Sequence, residues 1–487
     1  MNVCVLSGSP KGKESITFQT VLYLQKKFPN DNFETLHAGK YLRQYENDFA
    51  PAKAALQNCD LVLFCYPVYT FLVPSQLHCF IELIYENEID LSGKFAAQIT
   101  TSKHFYDTTA HAFICQNCGD LGLKYLAGLS ADMEDLLKPA GQKDAENFWN
   151  LVQFRTQNNW IDSLAKYSAV PAAPDSALSR AHSHIQQIRQ TVHSHFAQPQ
   201  NAPDAANVQN LQKTEPDQKK NANSIALVCD LAEDDEKLFE LIEKFRQSWQ
   251  GSVKVFNLRK IRIDGGCLGC FNCAVSGKCV YKDGFDDFLR SEIQTCSAIV
   301  LGFSVKNHSM GALFKKYDDR QFCNGHRTVT MGMPFGYLVN GNLAAEPNLR
   351  MVIDGRAQVG GNFLAGIATT GEEIEGLCAN LQFALQNRIV QPQMFLGIGG
   401  MKIFRDLIYV MAGFMHADYK FYKKHGFFDF PQKQFGTRVK MWLVGKLVNN
   451  PKVKARMGNA VTAGMLMPYR KLLDSIPESD TAENKTK

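Results

Sequence analysis

The chain has 487 residues, 45% hydrophobic and 21% charged, with a formal net charge of +5, so it can bury sizeable cores in two or three domains. It contains no block of five or more basic residues, and a nucleic-acid surface is not expected. The start MNVCVLSGSP has neither the charged beginning nor the apolar core of a secretory signal, so the 14 cysteines are expected reduced, in a cytoplasmic setting.

The first apolar strand pattern, Asn2 to Gly8, leads through the loop SGSPKGKESIT (Ser7 to Thr17) into an amphipathic helix. Hydroxyls at Ser7, Ser9, Ser15 and Thr17, the cation Lys11, and glycines Gly8 and Gly12 suit a phosphate cradle at a helix N-terminus. Only three residues separate Gly8 from Gly12-Lys13, and Glu14 follows, so this is not a Walker loop; nor is it GxGxxG. A mononucleotide phosphate fits better, with a plain serine-rich helix cap as the alternative. After the strand Asp60 to Tyr66, the loop at Tyr66 to Glu82 falls at the switch point of an open parallel sheet. There a flat ring would rest on the backbone of Pro67, Val68, Tyr69 and Thr70, although Tyr66 and Tyr69 also suit plain packing. Thr100 to Asp107 adds Thr101, Ser102 and His104 at the same rim. Cys115 and Cys118 lie one turn apart in a helical pattern, which favours packing over redox chemistry.

The stretch between Phe196 and Asn223 is rich in Pro, Asn and Gln and poor in large apolar residues, so 196–223 reads as a flexible linker. This gives a first domain at 1–195, a second at 224–390 and a helical extension with a polar tail at 391–487. His182, His184, His193 and His195 flank the linker and are expected in solvent. The second domain opens with the strand Ser224 to Asp230, but DLAEDDEK (Asp230 to Lys237) stands where a phosphate loop would be, and its five carboxylates would repel an anion. Strand-helix alternation in both halves implies α/β domains with doubly wound parallel sheets. Asp60–Tyr66 corresponds to Ala298–Phe303, Pro74–Glu82 to Met310–Asp318, and Leu123–Leu129 to Gly361–Ile367, so the chain reads as a divergent tandem duplication.

Cys267, Cys270, Cys273 and Cys279 form C-x2-C-x2-C-x5-C, with Gly265, Gly266, Gly269 and Gly277 free to turn the loop. Four thiolates so close together suit a 4Fe-4S cluster. Structural zinc would want a longer spacer between ligand pairs; zinc and plain packing are the alternatives. Five residues before the fourth cysteine, and Val280 after it, distinguish the run from a ferredoxin insert. Asn307 to Ser309 and His326 to Gly341 are expected at a second-domain pocket with no ligand assigned. In the extension, Met394 to Met415 is interrupted by Lys402, Arg405 and Asp406 and is too broken to span a bilayer. Its Ile403, Leu407, Ile408 and Met411 follow helical spacing and are expected to cover a core, with peripheral membrane contact as the minor alternative.

These residues resemble a family. Gly8-Ser9-Pro10-Lys11 through Thr17 resembles the phosphate loop of the NADPH-dependent FMN reductases, and Pro67-Val68-Tyr69 with Ser75-Gln76-Leu77 resembles their flavin loop. The cysteine run with Asp286-Asp287 resembles the iron-sulfur flavoproteins of the same superfamily. The resemblance covers most of residues 1–130 and 224–370. It implies two flavodoxin-like domains, FMN, NAD(P)H as substrate, a 4Fe-4S cluster, and a small-molecule or protein electron acceptor; a homodimer stays open. Each half has lost what the other kept: the first lacks a cysteine run between Phe33 and Asp60, and the second reads Ser304-Val305-Lys306 for Pro-Val-Tyr. In the resembling flavoproteins the cluster of one subunit lies near the flavin of its partner, so here residues 267–279 are expected against residues 7–104 of the same chain. Hydride transfer requires no side-chain acid or base, and no catalytic residue is assigned. The other function classes are a non-catalytic electron carrier, and an FMN or quinone reductase whose cysteine loop binds zinc or no metal.

Overall fold

The computed structural model describes residues 1–105, 107–161, 224–390, 392, 394–429, 434–450, 452–453 and 460–476. The expected linker at 196–223 and the four histidines lie outside the described residues.

The first domain runs β1 (Asn2–Ser7), α1 (Ile16–Lys27), β2 (Asn32–Leu36), α2 (Ala38–Asn47), α3 (Ala50–Asn58), β3 (Leu61–Pro67), α4 (Ser75–Glu86), β4 (Phe95–Ser102), α5 (Asp107–Asp120), β5 (Lys124–Asp132) and α6 (Pro139–Gln157). Its five strands are parallel in the order β2-β1-β3-β4-β5. Val5 registers with Leu63, and Leu63 with Ala97, so the uninterrupted apolar runs of β1 and β3 lie in the middle of the sheet. Such runs are what a sheet covered by helices on both faces requires. Alternate residues feed two cores: Cys4, Leu6, Val62 and Phe64 on one face, Val3, Val5, Leu61 and Leu63 on the other.

The second domain repeats the pattern with β6 (Ser224–Cys229), α7 (Glu236–Ser248), β7 (Ser252–Asn257), α8 (Asn272–Ser276), β8 (Ala298–Ser304), α9 (Ala312–Arg320), β9 (Pro334–Asn340), α10 (Pro347–Gly360), β10 (Phe363–Ala368) and α11 (Ile374–Asn387). Its sheet, β10-β9-β8-β6-β7, is the first order read from the other edge. The duplication is visible in detail. The turn after β3 is closed by Tyr69 and Leu72 with Thr70 and Phe71 at positive φ; the turn after β8 is closed by Lys306 and Ser309 with Asn307 and His308 at positive φ. Helix α4 then starts at Ser75 and α9 at Ala312. Glu82 therefore corresponds to Asp319, and the pairing of Pro74–Glu82 with Met310–Asp318 is one residue out of step. Gly311, at φ +75, stands opposite Pro74 at the approach to its helix, a slot that sequence matching of small residues misplaces.

Helices α12 (Phe395–Val410), α13 (His416–Lys424), α14 (Phe435–Asn449) and α15 (Ala460–Asp474) follow. They pack back on both domains. Helix α12 lies on α10, α13 lies on α8, and Tyr469 and Leu473 of α15 join the α1–α6 core. The expectation that Ile403, Leu407, Ile408 and Met411 cover a core is met by three of them: Ile408 is fully buried and Leu407 and Met411 pack beside it, while Ile403 lies outside that cluster. Among the described residues no helix is long and apolar enough to cross a membrane.

Candidate functional site

The β1–α1 loop forms a buried hydroxyl pocket. Ser7, Ser9, Ser15 and Thr17 are each no more than 3% exposed, and Thr17 Oγ1 hydrogen-bonds Thr101 Oγ1. Ser15, at the helix cap position, makes no side-chain capping bond, and among the described residues the buried Ser7 Oγ has no partner. A helix N-terminus left uncapped beside an orphaned buried hydroxyl is an arrangement that a phosphate completes. In the second domain the same place is filled from within. Asp235 caps α7 by accepting from Leu238 N at 3.1 Å, and it also accepts from Asn340 Nδ2 at 2.9 Å and from Ser304 Oγ.

The loop after β3 lies alongside the cradle. Val68 N donates to Thr101 O at 3.0 Å, and the Tyr69–Leu72 pair closes the turn. The second domain holds this loop from below. Lys315, fully buried, donates to Tyr69 O at 3.0 Å and Thr70 Oγ1 at 2.7 Å and pairs with the fully buried Asp319. Asp319 also accepts from Thr70 Oγ1 at 3.0 Å and from Ser75 N at 2.7 Å. A carboxylate and an ammonium removed from water are tolerated when they are paired and hydrogen-bonded, as here, with both Asp319 oxygens accepting and Lys315 making three bonds.

The cysteine loop of the second domain rests on the flavin-type loop of the first. Gln76 Nε2 donates to Cys267 O at 3.3 Å. At Gly269, φ +59, a Cβ would lie 2.2 Å from the Tyr69 hydroxyl oxygen, so the approach needs glycine on both counts. The expected proximity of residues 267–279 to the first-domain loops therefore holds as direct contact. Lys11 is drawn into it: its Nζ sits 5.7 Å from the Phe271 ring centroid, and burial lowers its basicity while Cys270 and Cys267 oppose that shift. The cation expected to serve the phosphate thus also faces the thiols.

Between these loops lies a cavity of about 380 Å³, lined by Pro67, Val68, Tyr69, Thr70, Thr101 and Ser102 from the first domain and by Cys267, Gly269, Phe271 and Cys273 from the second. Its size falls in the range of small-molecule sites. His326 to Thr330, Phe335 and Tyr337 form another wall, in line with the expected pocket segment, and Ile403, Phe404 and Leu407 of α12 close it. Asn307 to Ser309 do not line it; His308 instead pairs with Asp120 and Glu346 at the junction of the halves. His104 also lies outside, bonded to Ser130 and Asp135. Tyr66 is a packing residue whose hydroxyl donates to Gln98 Oε1 at 2.6 Å, and Cys118 is buried in the core.

Cys267, Cys270, Cys273 and Cys279 line one small void of about 30 Å³, joined there by Cys323. Sequence spacing had no means of finding Cys323, which arrives from the end of α9. Burial pushes the Cys273 and Cys323 thiols up to about 12, and Cys267 higher still, so without a bound cation they are protonated. Arginines frame the loop through its carbonyls: Arg320 on Gly265, Arg327 on Cys273, and Arg290 on Gly277 and Cys323. None of the fourteen cysteines is in a disulfide. Among the described residues, no group of three or more His, Cys, Asp or Glu side chains is set to hold a metal ion.

Residues 1–113 match the family model of NADPH-dependent FMN reductase. No curated protein matches the chain. Among solved structures, the chain is similar to an NAD(P)H:quinone oxidoreductase from Methanothermobacter marburgensis (13% identity, 33% of this chain and 96% of that one, TM-score 0.25). It is similar to an FMN-dependent NADH-azoreductase from Bacillus anthracis in complex with FMN (13%, 33% and 100%, 0.25). It is also similar to a flavoenzyme NAD(P)H:(acceptor) oxidoreductase from Paracoccus denitrificans (22%, 32% and 95%, 0.27). The match of residues 1–113 to NADPH-dependent FMN reductase takes in both the β1–α1 loop and the loop after β3.

Proposed function

We propose that the chain is an NAD(P)H-dependent FMN oxidoreductase that binds one flavin, in the first domain, against a 4Fe-4S cluster held by Cys267, Cys270, Cys273 and Cys279 of the second. The observation that carries this reading is the cavity bounded on one side by Pro67–Thr70 and on the other by Cys267–Cys273. FMN held by the first-domain loops would supply hydride acceptance from a nicotinamide and single-electron release, and a cluster held by Cys267, Cys270, Cys273 and Cys279 would supply one-electron transfer. The chain's own work is positioning. Ser7, Ser9, Ser15 and the α1 amides take the phosphate, and Val68 to Thr70, pinned by Lys315 and Asp319, present backbone to the ring. Thr101 and Ser102 meet the ring edge.

The cluster rests on four thiols at one void with cations around them: Lys11 beside Cys267 and Cys270, Arg320 beside Cys279, and Arg327 beside Cys273. These charges favour thiolates over thiols, the form a metal ligand requires. Cys270 is exposed, which gives electrons an exit toward an external acceptor. A second reading, an FMN or quinone reductase whose cysteine loop is metal-free, is favoured by the unconverged thiols.

Anaerobic steady-state oxidation of NADH and of NADPH by the flavin-loaded chain tests the activity. Turnover with either nicotinamide supports the reductase. Its absence at full flavin occupancy leaves a non-catalytic electron carrier.

A further inference from the structure

Helix α14 touches the rest of the molecule by a narrow stripe. Gly445 and Val448 are buried, and Gly445 lies so close to the backbone of Gly413 that a Cβ would meet the Gly413 carbonyl oxygen. Met441 is half-buried, and so is Arg438, which donates to the Tyr409 and Tyr419 hydroxyls; the rest of the helix faces out, and much of it is apolar: Phe435 is 73% exposed, Trp442 50%, Leu443 53% and Leu447 63%. A large exposed aromatic and aliphatic face on a soluble-length helix marks a contact surface rather than ordinary surface scatter.

Charge identifies the occupant. From 395 to 474 the sequence holds fourteen Lys and Arg against four Asp and Glu, a net of +10, while the whole chain carries +5. The remainder of the molecule is therefore net acidic and the positive charge is gathered in this region. On α14 itself, Lys440 and Lys446 are exposed, Lys446 lies 3.7 Å from the centroid of the Trp442 ring, and no acidic residue occurs between Phe435 and Asn450. An apolar helix face with Lys440 at its edge and Lys446 within it over the Trp442 indole, the ammonium groups free to reach outward along their alkyl stems, is a composition that suits the interface of an anionic bilayer. A second copy of this chain would bring one strongly positive region against another, which charge disfavours.

We propose that α14 is a peripheral membrane anchor, seating Phe435, Trp442, Leu443 and Leu447 in the acyl-headgroup boundary of an anionic bilayer while Lys440 and Lys446 meet lipid phosphates. The anchor stands beside the cofactor cavity, because α12, which packs on α14, contributes Ile403, Phe404 and Leu407 to the cavity wall.

The test is cosedimentation of the full chain with vesicles of phosphatidylglycerol and phosphatidylcholine in equal parts, and with phosphatidylcholine alone. The expected result is binding to the anionic vesicles, weakened at least about tenfold between roughly 0.1 and 0.5 M salt and without anionic lipid. Trp442→Ser with Leu443→Ser weakens binding at least about tenfold at unchanged flavin content, and so does Lys440→Glu with Lys446→Glu, which leaves the apolar face intact. No binding to anionic vesicles, or binding unaffected by both pairs, overturns the proposal. So does a concentration-dependent dimer, read by light scattering, that the Trp442/Leu443 pair abolishes, since that assigns the face to a second copy.

Discussion

Glu82 and Asp319 each cap the other's helix: Asp319 accepts from Ser75 N at the start of α4, Glu82 accepts from Ala312 N at the start of α9, and both distances are 2.7 Å. The two residues are equivalents under the internal duplication, so the domains meet across an approximate two-fold as two copies of one chain would. One end of this reciprocal pair adjoins the Pro67–Thr70 loop of the first domain and the other adjoins its altered counterpart at Ser304–Asn307.

Asp319→Ala leaves Lys315 buried without its carboxylate and Ser75 N without its acceptor. Stability should fall by about 3–5 kcal/mol, and FMN affinity should fall with it because Tyr69 and Thr70 lose their support. Lys315→Met in the same chain should recover part of the loss, with a coupling of about 1–3 kcal/mol in denaturant unfolding. Simple additivity of the two changes would mean that the pair does not act as a unit.

Acid should unfold the chain through two carboxylates. At Glu82 burial pushes the carboxyl up, and His78 and Lys306 more than reverse it; at Asp283 burial is outweighed by Arg320; both end at about 2. These folded values lie below the unfolded ones, so the stability they confer is present above about pH 4.5 and is lost as pH falls toward 2, roughly 2–3 kcal/mol for each. Glu82→Gln should flatten the pH dependence of the unfolding midpoint in that window. An unchanged slope would contradict the assignment.

Ser7→Ala separates structure from ligand. The hydroxyl has no partner among the described residues, so its removal should change apoprotein stability by less than about 0.5 kcal/mol or raise it slightly. FMN affinity should fall by about tenfold, measured by flavin fluorescence titration, if this hydroxyl bonds the phosphate. Equal affinity for both forms would move the phosphate elsewhere.

Gly269→Ala should cost about 1–2 kcal/mol from the left-handed backbone alone. The contact with the Tyr69 hydroxyl adds to that, and Tyr69→Phe should relieve only this second part. A variant as stable as the parent would place the cysteine loop away from Tyr69.

Local motifs were legible in the sequence because a phosphate loop, a ring loop and a cysteine run are each written in a few consecutive residues. The acidic stretch at 230–237 reads as hostile to phosphate from its charge alone, and only the fold shows that Asp235 itself takes the helix cap. What escaped was tertiary. Lys315 and Asp319 read as an ordinary surface pair four residues apart on a helix, and nothing local tells that another domain buries them. Cys323 lies forty-four residues beyond Cys279 and joins the others only because α9 ends at their void. The closure of the cavity by Ile403, Phe404 and Leu407 depends on where α12 docks, which helical spacing leaves undetermined.

The central claim is that one chain brings a single flavin site and a single cysteine loop into contact, each supplied by a different copy of the duplicated domain. Anaerobic purification followed by an absorption spectrum, with FMN, iron and sulfide quantified per chain, tests it most directly. The account predicts about one FMN and about four irons per chain, with Cys270→Ser removing the iron and leaving the FMN. Two FMN per chain, or flavin with no iron in protein kept anaerobic throughout, would contradict it.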